Sequence, residues 1–302
     1  MVPKVAIIVL NWNNYADTKE CLKSLENVTY PDYEIAIVDN GSTDGSVTRL
    51  EVEFPQYKFI KSEENLGFAG GNNVGIKYAL ERAANYVLLL NNDTIVSPDF
   101  LTEMVKIAEE DETVGLVGGK IYRYGTHDIH HAGGRLVLWR GTGYSFRGDK
   151  AARNGVRNVN FIIGCLMLIK SKMIEDIGLL DEHYFFGGED VEYCWRAKKV
   201  GWQIKVNLDA EIWHKVSSSA GGEGSPLLFY YNTRNRLYFA PKLGIKDRML
   251  FYIFFSLTRP IRFVQWKLSG KDEFIGATLW GIRDFVKGET GKGKYLSELK
   301  EA

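Results

Sequence analysis

Short apolar runs alternate with segments of helical spacing along the first 120 residues of the chain. Apolar runs of this length predict buried strands, and they cover residues 4–10, 34–38, 57–61, 86–90 and 114–118. Helical periodicity covers residues 16–25, 46–54 and 73–84. Ser97 and Pro98 are typical of another helix start, as cap and first helical residue. This alternation predicts an α/β fold with a mostly parallel central sheet that helices cover on both faces.

Polar side chains follow three of the predicted strands. Asn11 follows the first strand, Asp39 ends the second, and Asn91, Asn92 and Asp93 follow the fourth. Right-handed crossovers bring the carboxyl ends of parallel strands to one edge of the sheet, where ligands of open α/β sheets bind. A carboxylate flanked by amides at that edge can hold a divalent cation and a diphosphate bound to it. We therefore expect one pocket to collect these side chains.

The carboxylate of Asp39 is suited to a pyrimidine base, because uracil and thymine each carry one imide N–H donor. Asp39 opens a polar turn that runs to Asp44. Both aspartates also suit a simpler role, in which they stabilise a turn and cap a helix. The residues by themselves leave both interpretations open.

A glycine-rich loop over residues 65–73 leads into the helix predicted for residues 73–84. Its glycines, among them Gly67, let the backbone approach a ligand closely, and the following helix N-terminus favours phosphate. Asn65 and Asn72 add polar side chains. The match to a dinucleotide-binding fingerprint is poor, so the loop alone does not identify a ligand.

A second acidic motif, Glu189-Asp190, lies at the start of a helix predicted for residues 190–200. Asp190 is a natural helix cap. It is equally suited to be a general base that the helix positions beside a nucleotide site.

The remainder of the chain predicts two parts. Residues 125–155 are glycine-rich and predict loops with short irregular strands, and residues 160–170 predict a further strand. Residues 227–239 and 245–265 predict helices. We predict a catalytic domain over residues 1–220 and a basic, aromatic helical extension over residues 221–302.

The charge of the chain is balanced overall but uneven along its length. The 302 residues have a formal net charge of zero, with 45% hydrophobic and 25% charged residues, which is ordinary for a globular protein and argues against a nucleic-acid partner. Residues 234–294, however, contain thirteen Lys or Arg and five Asp or Glu, a net charge of +8. This excess lies beside Phe251, Phe254 and Phe255, so we favour contact with a membrane surface or a lipid-linked acceptor. Packing as ordinary core, or a homodimer contact through the same face, are the alternatives.

The cysteines and the apolar runs indicate a cellular location. The three cysteines, Cys21, Cys165 and Cys194, are odd in number and far apart, which fits a reducing compartment. The longest apolar run, residues 249–257, is too short to span a bilayer. We expect a cytoplasmic protein, with peripheral contact to the inner face of the cell membrane.

Taken in order, these motifs resemble the inverting glycosyltransferases of family 2, which have a GT-A fold. The resemblance covers roughly residues 5–214, about 70% of the chain, and includes the strand ends, the glycine-rich loop and the Glu189-Asp190 motif. It implies transfer of a sugar from a dTDP- or UDP-sugar to a hydroxyl of a glycan or polyprenyl-linked acceptor, as in polysaccharide biosynthesis at the cell envelope. Asp190 would deprotonate that hydroxyl for a single displacement.

The resemblance also implies roles for the other motif residues. Asp39 would bind the base, with Asn11 beside it, and Asp93 would bind Mg²⁺ or Mn²⁺ that bridges the two phosphates. His214 matches a position that often completes the metal site. Residues 65–72 would lie near the ribose and the sugar diphosphate. On the acceptor side we place three residues: Gly164, Glu189 and Arg234.

The chain departs from the family pattern at the strand-end motif. Asn91 and Asn92 replace acidic positions and leave Asp93 as the one carboxylate. Amide oxygens can coordinate a hard cation but add no charge. Asparagine-rich versions of the motif resemble rhamnosyltransferase-like members of the family, which points towards dTDP-rhamnose as donor.

Two other functions fit parts of the sequence. A protein that binds glycans or nucleotide sugars without turnover would explain the depleted acidic motif. A sugar nucleotidylyltransferase needs a glycine-rich basic loop after the first strand, and residues 11–14 do not provide one. His127, His130 and His131 do not match a zinc spacing, and we interpret them as part of an exposed loop near the acceptor.

Overall fold

A ten-stranded mixed sheet forms the centre of the molecule. The computed structural model describes residues 2–148, 154–216, 224–293 and 295. The strands of this sheet are β1 (Val5–Asn11), β2 (Tyr33–Asp39), β3 (Lys58–Lys61), β4 (Tyr86–Asn91), β5 (Thr94–Val96), β6 (Val114–Arg123), β7 (Ile129–His131), β10 (Val156–Val159), β11 (Leu166–Lys170) and β12 (Gln203–His214). Their order across the sheet is β10-β12-β6-β11-β4-β1-β2-β3, with β5 paired to β12 and β7 paired to β6.

The remaining elements are a small sheet and the helices. The small sheet pairs β8 (Gly134–Val137) with β9 (Thr142–Ser145). The helices are α1 (Tyr15–Leu25), α2 (Ser46–Glu53), α3 (Gly67–Glu81), α4 (Phe100–Glu109), α5 (Ser171–Ile177), α6 (Glu189–Lys199), α7 (Pro226–Phe239), α8 (Ile245–Leu268) and α9 (Asp272–Val286).

Strand β1 lies at the centre of the parallel part of the sheet, between β2 and β4, and β3 extends the parallel run beyond β2. Its side chains alternate between two cores, as the period of two along a strand requires. Ile8 contributes to the core that contains α3, α5 and α6, and Ile7 to the core that contains α1, α2 and α4. Helices therefore cover both faces, as the sequence pattern predicts.

The other half of the sheet is mixed. Strand β11 is antiparallel to both β4 and β6, while β12 is parallel to β6 and antiparallel to β5 and β10. The α/β class and the parallel run are thus confirmed, and the antiparallel pairs involve β5, β7, β10 and β11.

The C-terminal helices pack on one another and on the segment before α6. Tyr230 and Tyr231 of α7 form a small core with Phe185 and with Ala277 of α9. The predicted domain boundary at residue 220 lies outside the described residues. Among the described residues, no helix is both long and apolar enough to cross a bilayer.

The predicted helix start at Ser97 and Pro98 is wrong. Helix α4 begins at Phe100 and is preceded by Asp99. Ser97 instead continues strand pairing, since its N–H donates to the carbonyl oxygen of Glu211 at 3.1 Å. The hydroxyl of Ser97 is buried without a hydrogen-bond partner among the described residues, so it does not cap the helix.

Helix α3 approaches the sheet closely because glycine faces it. Gly75 packs on β1, where an added Cβ would overlap the Cγ2 atom of Ile8. A side chain here must displace a fully buried residue of the central strand.

We expect Gly75→Ala to destabilise the protein by about 1–3 kcal/mol through overpacking, despite the better helix propensity of alanine. Gly276→Ala in α9 is the matched control, because an added Cβ there meets nothing within 4 Å. It should leave stability unchanged or raise it by up to about 1 kcal/mol. Urea unfolding measures both, and equal shifts for the two variants would contradict this account of α3 packing.

Candidate active site

The strand register brings Asn11, Asp39 and Asn91 to one edge of the sheet. Asn11 pairs with Asp39 across β1 and β2, and Leu10 pairs with Asn91 across β1 and β4. Asp93 lies in the turn directly after β4. The sequence expectation that these strand ends converge therefore agrees with the structure.

The carboxylate of Asp39 is 4% exposed and is held from two sides. The side-chain amide of Asn11 donates to Oδ1 at 3.2 Å, and the N–H of Ser42 donates to Oδ2 at 3.3 Å. Asn11 is itself fully buried. Asp39 therefore does stabilise the turn, and these hydrogen bonds orient its carboxylate at the strand end.

Asp93 and His214 face each other at the same edge. Nε2 of His214 lies 3.0 Å from Oδ1 of Asp93, and both residues are buried. Pairing of β12 with β5 produces this contact, because it places His214 opposite Thr94, the residue after Asp93. Burial lowers the pKa of His214, but the sulfur of Cys165 and the carboxylate of Asp93 outweigh it and raise the pKa to about 10.

A carboxylate oxygen and an imidazole nitrogen at this separation fit a divalent cation that takes its other ligands from a substrate diphosphate and water. Binding of the cation would require His214 to release its Nε2 proton, since only the neutral imidazole is a metal ligand. Among the described residues, no group of three His, Cys, Asp or Glu could enclose a metal ion unaided. Asn91 lies beside the pair, with its amide nitrogen 3.5 Å from Nε2 of His214. Asn92 does not join it, because its amide donates to the hydroxyl of Thr18 at 2.7 Å.

The glycine-rich loop is held by a side chain that the sequence analysis did not single out. Asn40 is 2% exposed, and it donates to Oδ1 of Asn65 and to the carbonyl oxygen of Gly67, both at 3.1 Å. Its own Oδ1 accepts the N–H of Leu66 at 2.9 Å. Asn72 is buried within the helix, where its amide donates to the carbonyl oxygen of Phe68.

Gly67 joins this loop to the acidic motif. It adopts a left-handed φ of 75°, and an added Cβ would overlap the carbonyl oxygen of Phe185. The next residue, Phe68, donates its N–H to that same carbonyl at 2.8 Å. The donor-side loop and the segment before Asp190 are therefore in direct contact.

Asp190 is the second residue of α6 and not its cap, which is Gly188. Burial raises the pKa of its carboxyl group, while the N–H groups of Val191 and Gly164 oppose that rise. Glu189 beside it is 6% exposed, and among the described residues its Oε2 has no hydrogen-bond partner. Burial and the neighbouring Asp190 raise the pKa of Glu189 as well. A buried carboxyl with a raised pKa is typical of acid–base chemistry.

A cavity of about 250 Å³ opens beside Asp190. Its wall combines apolar and aromatic side chains with a few polar groups, among them Phe161, Tyr184, Tyr231, Asn232, Asn235 and Arg236. Arg234 does not reach it. This residue is fully buried, and its guanidinium donates to the hydroxyl of Tyr230 and to the carbonyl oxygen of Gly291.

Sequence reasoning missed the roles of Thr18 and of His130. Thr18 lies on the buried side of α1 and donates to Oδ1 of Asn11 at 2.9 Å, so it links two strand ends. Its helical spacing from the apolar residues of α1 could have predicted that Thr18 faces the sheet. The ring of His130 lies 5.8 Å from that of His214, a proximity that no local pattern indicates. The prediction of an exposed histidine loop is wrong for His131, which is buried in β7.

Comparisons with known proteins agree with this geometry. The model of Glycosyl transferase family 2 matches residues 6–178. The low-salt glycan biosynthesis hexosyltransferase Agl10 of Haloferax volcanii is 25% identical over 97% of this chain and 94% of its own length. Poly-beta-1,6-N-acetyl-D-glucosamine synthase of Staphylococcus epidermidis is 26% identical over 73% of this chain, which spans 52% of that protein.

A solved structure gives the fold. The mannosyltransferase PcManGT from Pyrobaculum calidifontis, in complex with GDP-Man and Mn²⁺, superposes with a TM-score of 0.60 at 17% identity, over 94% of this chain and 88% of that one. The matched family model covers more than half of the chain, and it includes the strand ends at Asp39 and Asp93. The chain therefore belongs to glycosyl transferase family 2 and is a glycosyltransferase with a GT-A fold.

Proposed function

We propose that this glycosyltransferase moves a sugar from a nucleotide-diphosphate donor to a hydroxyl of a glycan or lipid-linked glycan, with inversion at the anomeric carbon. The observation that supports it best is the position of Asp190 on the wall of the cavity. Among the described residues that line this cavity, no second carboxylate accompanies it. One base without a second carboxylate suits a single displacement, which inverts the anomeric centre.

Several contacts support a donor at the strand edge. Asp39 and Asn11 present a carboxylate and an amide where a base would lie, and the loop held by Asn40 lies next to it. We propose a pyrimidine nucleotide, dTDP or UDP, with Asp39 accepting the imide N–H. The asparagine-rich strand-end motif places dTDP-rhamnose first among the donors to be screened.

Asp93 and His214 are proposed to hold Mg²⁺ or Mn²⁺ against the diphosphate. The cation would supply positive charge for the negative charge that develops on the leaving diphosphate. With one carboxylate and one imidazole from the protein, the donor phosphates must provide much of the coordination shell. The neighbour with bound Mn²⁺ supports metal dependence and leaves the choice of ion to experiment.

Asp190 is proposed to remove the proton of the acceptor hydroxyl. The oxygen then attacks the anomeric carbon, the bond from that carbon to the diphosphate oxygen breaks, and the proton stays on the Asp190 carboxylate. The N–H groups of Val191 and Gly164 hold the carboxylate in place. Contact between Gly67 and Phe185 keeps the base close to the donor loop.

We expect Asp190→Asn to lower kcat by about 10²–10⁴-fold, because an amide cannot accept the proton. The affinity for the nucleotide part of the donor, measured by calorimetry with UDP and dTDP, should stay unchanged. Asp176→Asn is the control, since Asp176 is exposed on α5. Full transfer activity in Asp190→Asn would refute its role as base.

We expect Asp93→Ala to abolish metal-dependent transfer and to weaken Mn²⁺ binding in the presence of nucleotide by at least about tenfold, as loss of a ligand exceeds loss of a supporting contact. Asp99→Ala removes an exposed carboxylate from the same region and should behave as wild type. A donor-hydrolysis assay over a metal titration measures both. Unchanged turnover of Asp93→Ala at equal metal concentration would show that the cation site lies elsewhere.

The pH profile follows from the raised pKa of Asp190. A base works when deprotonated, so activity is present above the folded-state pKa and is lost as the pH falls through it. The ordinary pKa of an aspartate is about 3.9, and we expect the acid limb of kcat/KM to lie above that value. Glu189→Gln should keep this limb above about pH 3.9, because burial by itself raises the pKa of Asp190. A limb at the ordinary value would contradict burial of the base.

A further inference from the structure

Arg236 of α7 and Arg259 of α8 lie close together with Arg140, and among the described residues none of the three pairs with an acidic side chain. Arg236 lines the cavity, and its Nε donates to the carbonyl oxygen of Arg140 at 2.7 Å. Among the described residues, Nη2 of Arg236 and Nε of Arg259 are buried without a hydrogen-bond partner. Buried guanidinium groups ordinarily pair with carboxylates, so this cluster has N–H donors that are available to a ligand.

The described charges that act on Arg236 and Arg259 are those of other arginines. Burial and the nearby charges of Arg259 and Arg140 lower the pKa of Arg236 to about 10. Burial and Arg262 lower the pKa of Arg259 in the same way. A positive site of this kind attracts an anion, and the planar guanidinium fork matches phosphate geometry.

Aromatic rings hold the three guanidinium groups in place. The guanidinium carbons of Arg236, Arg140 and Arg259 lie 5.7, 5.3 and 5.1 Å from ring centroids of α8. These rings belong, in the same order, to Phe251, Phe254 and Phe255. The cluster is therefore built on the inner side of α8, next to the cavity wall.

The outer side of α8 exposes a long apolar stripe. Its residues follow one another at three- to four-residue spacing and are 52–83% exposed: Ile245, Met249, Ile253, Leu257, Ile261, Val264 and Leu268. Phe254 is half-buried between this stripe and the arginines, and its ring meets that of Trp139, which is 42% exposed. An exposed apolar surface of this extent marks an interaction site.

We propose that Arg236, Arg140 and Arg259 bind the phosphate or diphosphate of a lipid-linked acceptor, whose apolar chain lies against Trp139 and the exposed side of α8. The anionic group and the chain occupy adjoining surfaces of matching chemistry, and the group is carried next to the cavity that contains Asp190. This inference deepens the proposed function and rests on it. It replaces Arg234, which is fully buried, as the arginine of the acceptor side.

Equilibrium binding to the full chain tests the proposal without any turnover. Calorimetry would compare farnesyl diphosphate, farnesol and inorganic pyrophosphate. We expect farnesyl diphosphate to bind at least roughly tenfold more tightly than either fragment, because only it engages both surfaces. Equal binding of pyrophosphate would make this a free-phosphate site and overturn the lipid assignment.

Charge and apolar variants separate the two surfaces. Arg140→Gln, at an exposed residue that does not threaten folding, and Arg236→Gln should each weaken farnesyl diphosphate roughly tenfold. Arg49→Gln is the matched control, because Arg49 is also exposed and stacked on a ring, that of Tyr15. Wild-type affinity in both Arg140→Gln and Arg236→Gln would overturn the proposal.

Ile261→Ser should weaken farnesyl diphosphate but not pyrophosphate, and Val52→Ser, at an exposed apolar residue of α2, should weaken neither. Phosphatidylglycerol vesicles form the last comparison. If these vesicles displace labelled farnesyl diphosphate as effectively as unlabelled farnesyl diphosphate does, the surface is a general anionic-membrane site and the proposal fails. Donor hydrolysis by the wild-type protein is measured separately, so a failure of the proposed transferase function is recognised independently.

Discussion

Pairing between β5 and the end of β12 is the interaction on which the active-site edge depends. It joins a three-residue strand directly after Asp93 to a strand that ends more than a hundred residues later at His214. The N–H of Lys215 extends the pairing by donating to the carbonyl oxygen of Asp93 at 2.9 Å. Backbone hydrogen bonds of this kind fix register, and a shift by one residue would turn His214 to the other face of the sheet. The pairing of β5 with β12 therefore sets the geometry of the contact between His214 and Asp93.

A second constraint ties the donor side to the base. Gly67 lacks a side chain where the carbonyl of Phe185 approaches, and Phe68 bonds to that carbonyl. The amide of Asn235 on α7 then donates to the carbonyl oxygens of Phe186 and Gly187. The segment that leads to Asp190 is thus held between the glycine-rich loop and α7, which also lines the cavity.

The charge asymmetry of the sequence also acquires a location. The basic excess of the C-terminal region includes Arg234, whose charge is buried among backbone carbonyls and tyrosines and serves packing. Arg236, two residues later, points to the cavity instead. Successive helical positions differ by about 100°, so two residues shift a side chain to the opposite flank of α7. Of these two neighbouring arginines on α7, Arg234 therefore serves packing and Arg236 faces the cavity.

The sequence by itself determined the parallel strands, both helix-covered faces and the row Asn11, Asp39 and Asn91–Asp93, because period and strand-end position are local properties. It also determined family membership through the order of motifs. Only the tertiary structure decided that Asn92 turns to Thr18, that Arg236 and not Arg234 faces the cavity, and that the backbone of Ser97 bonds to Glu211. Those outcomes depend on pairing and packing between segments far apart in the chain, and a local pattern carries no information about which distant partner will compete for a side chain.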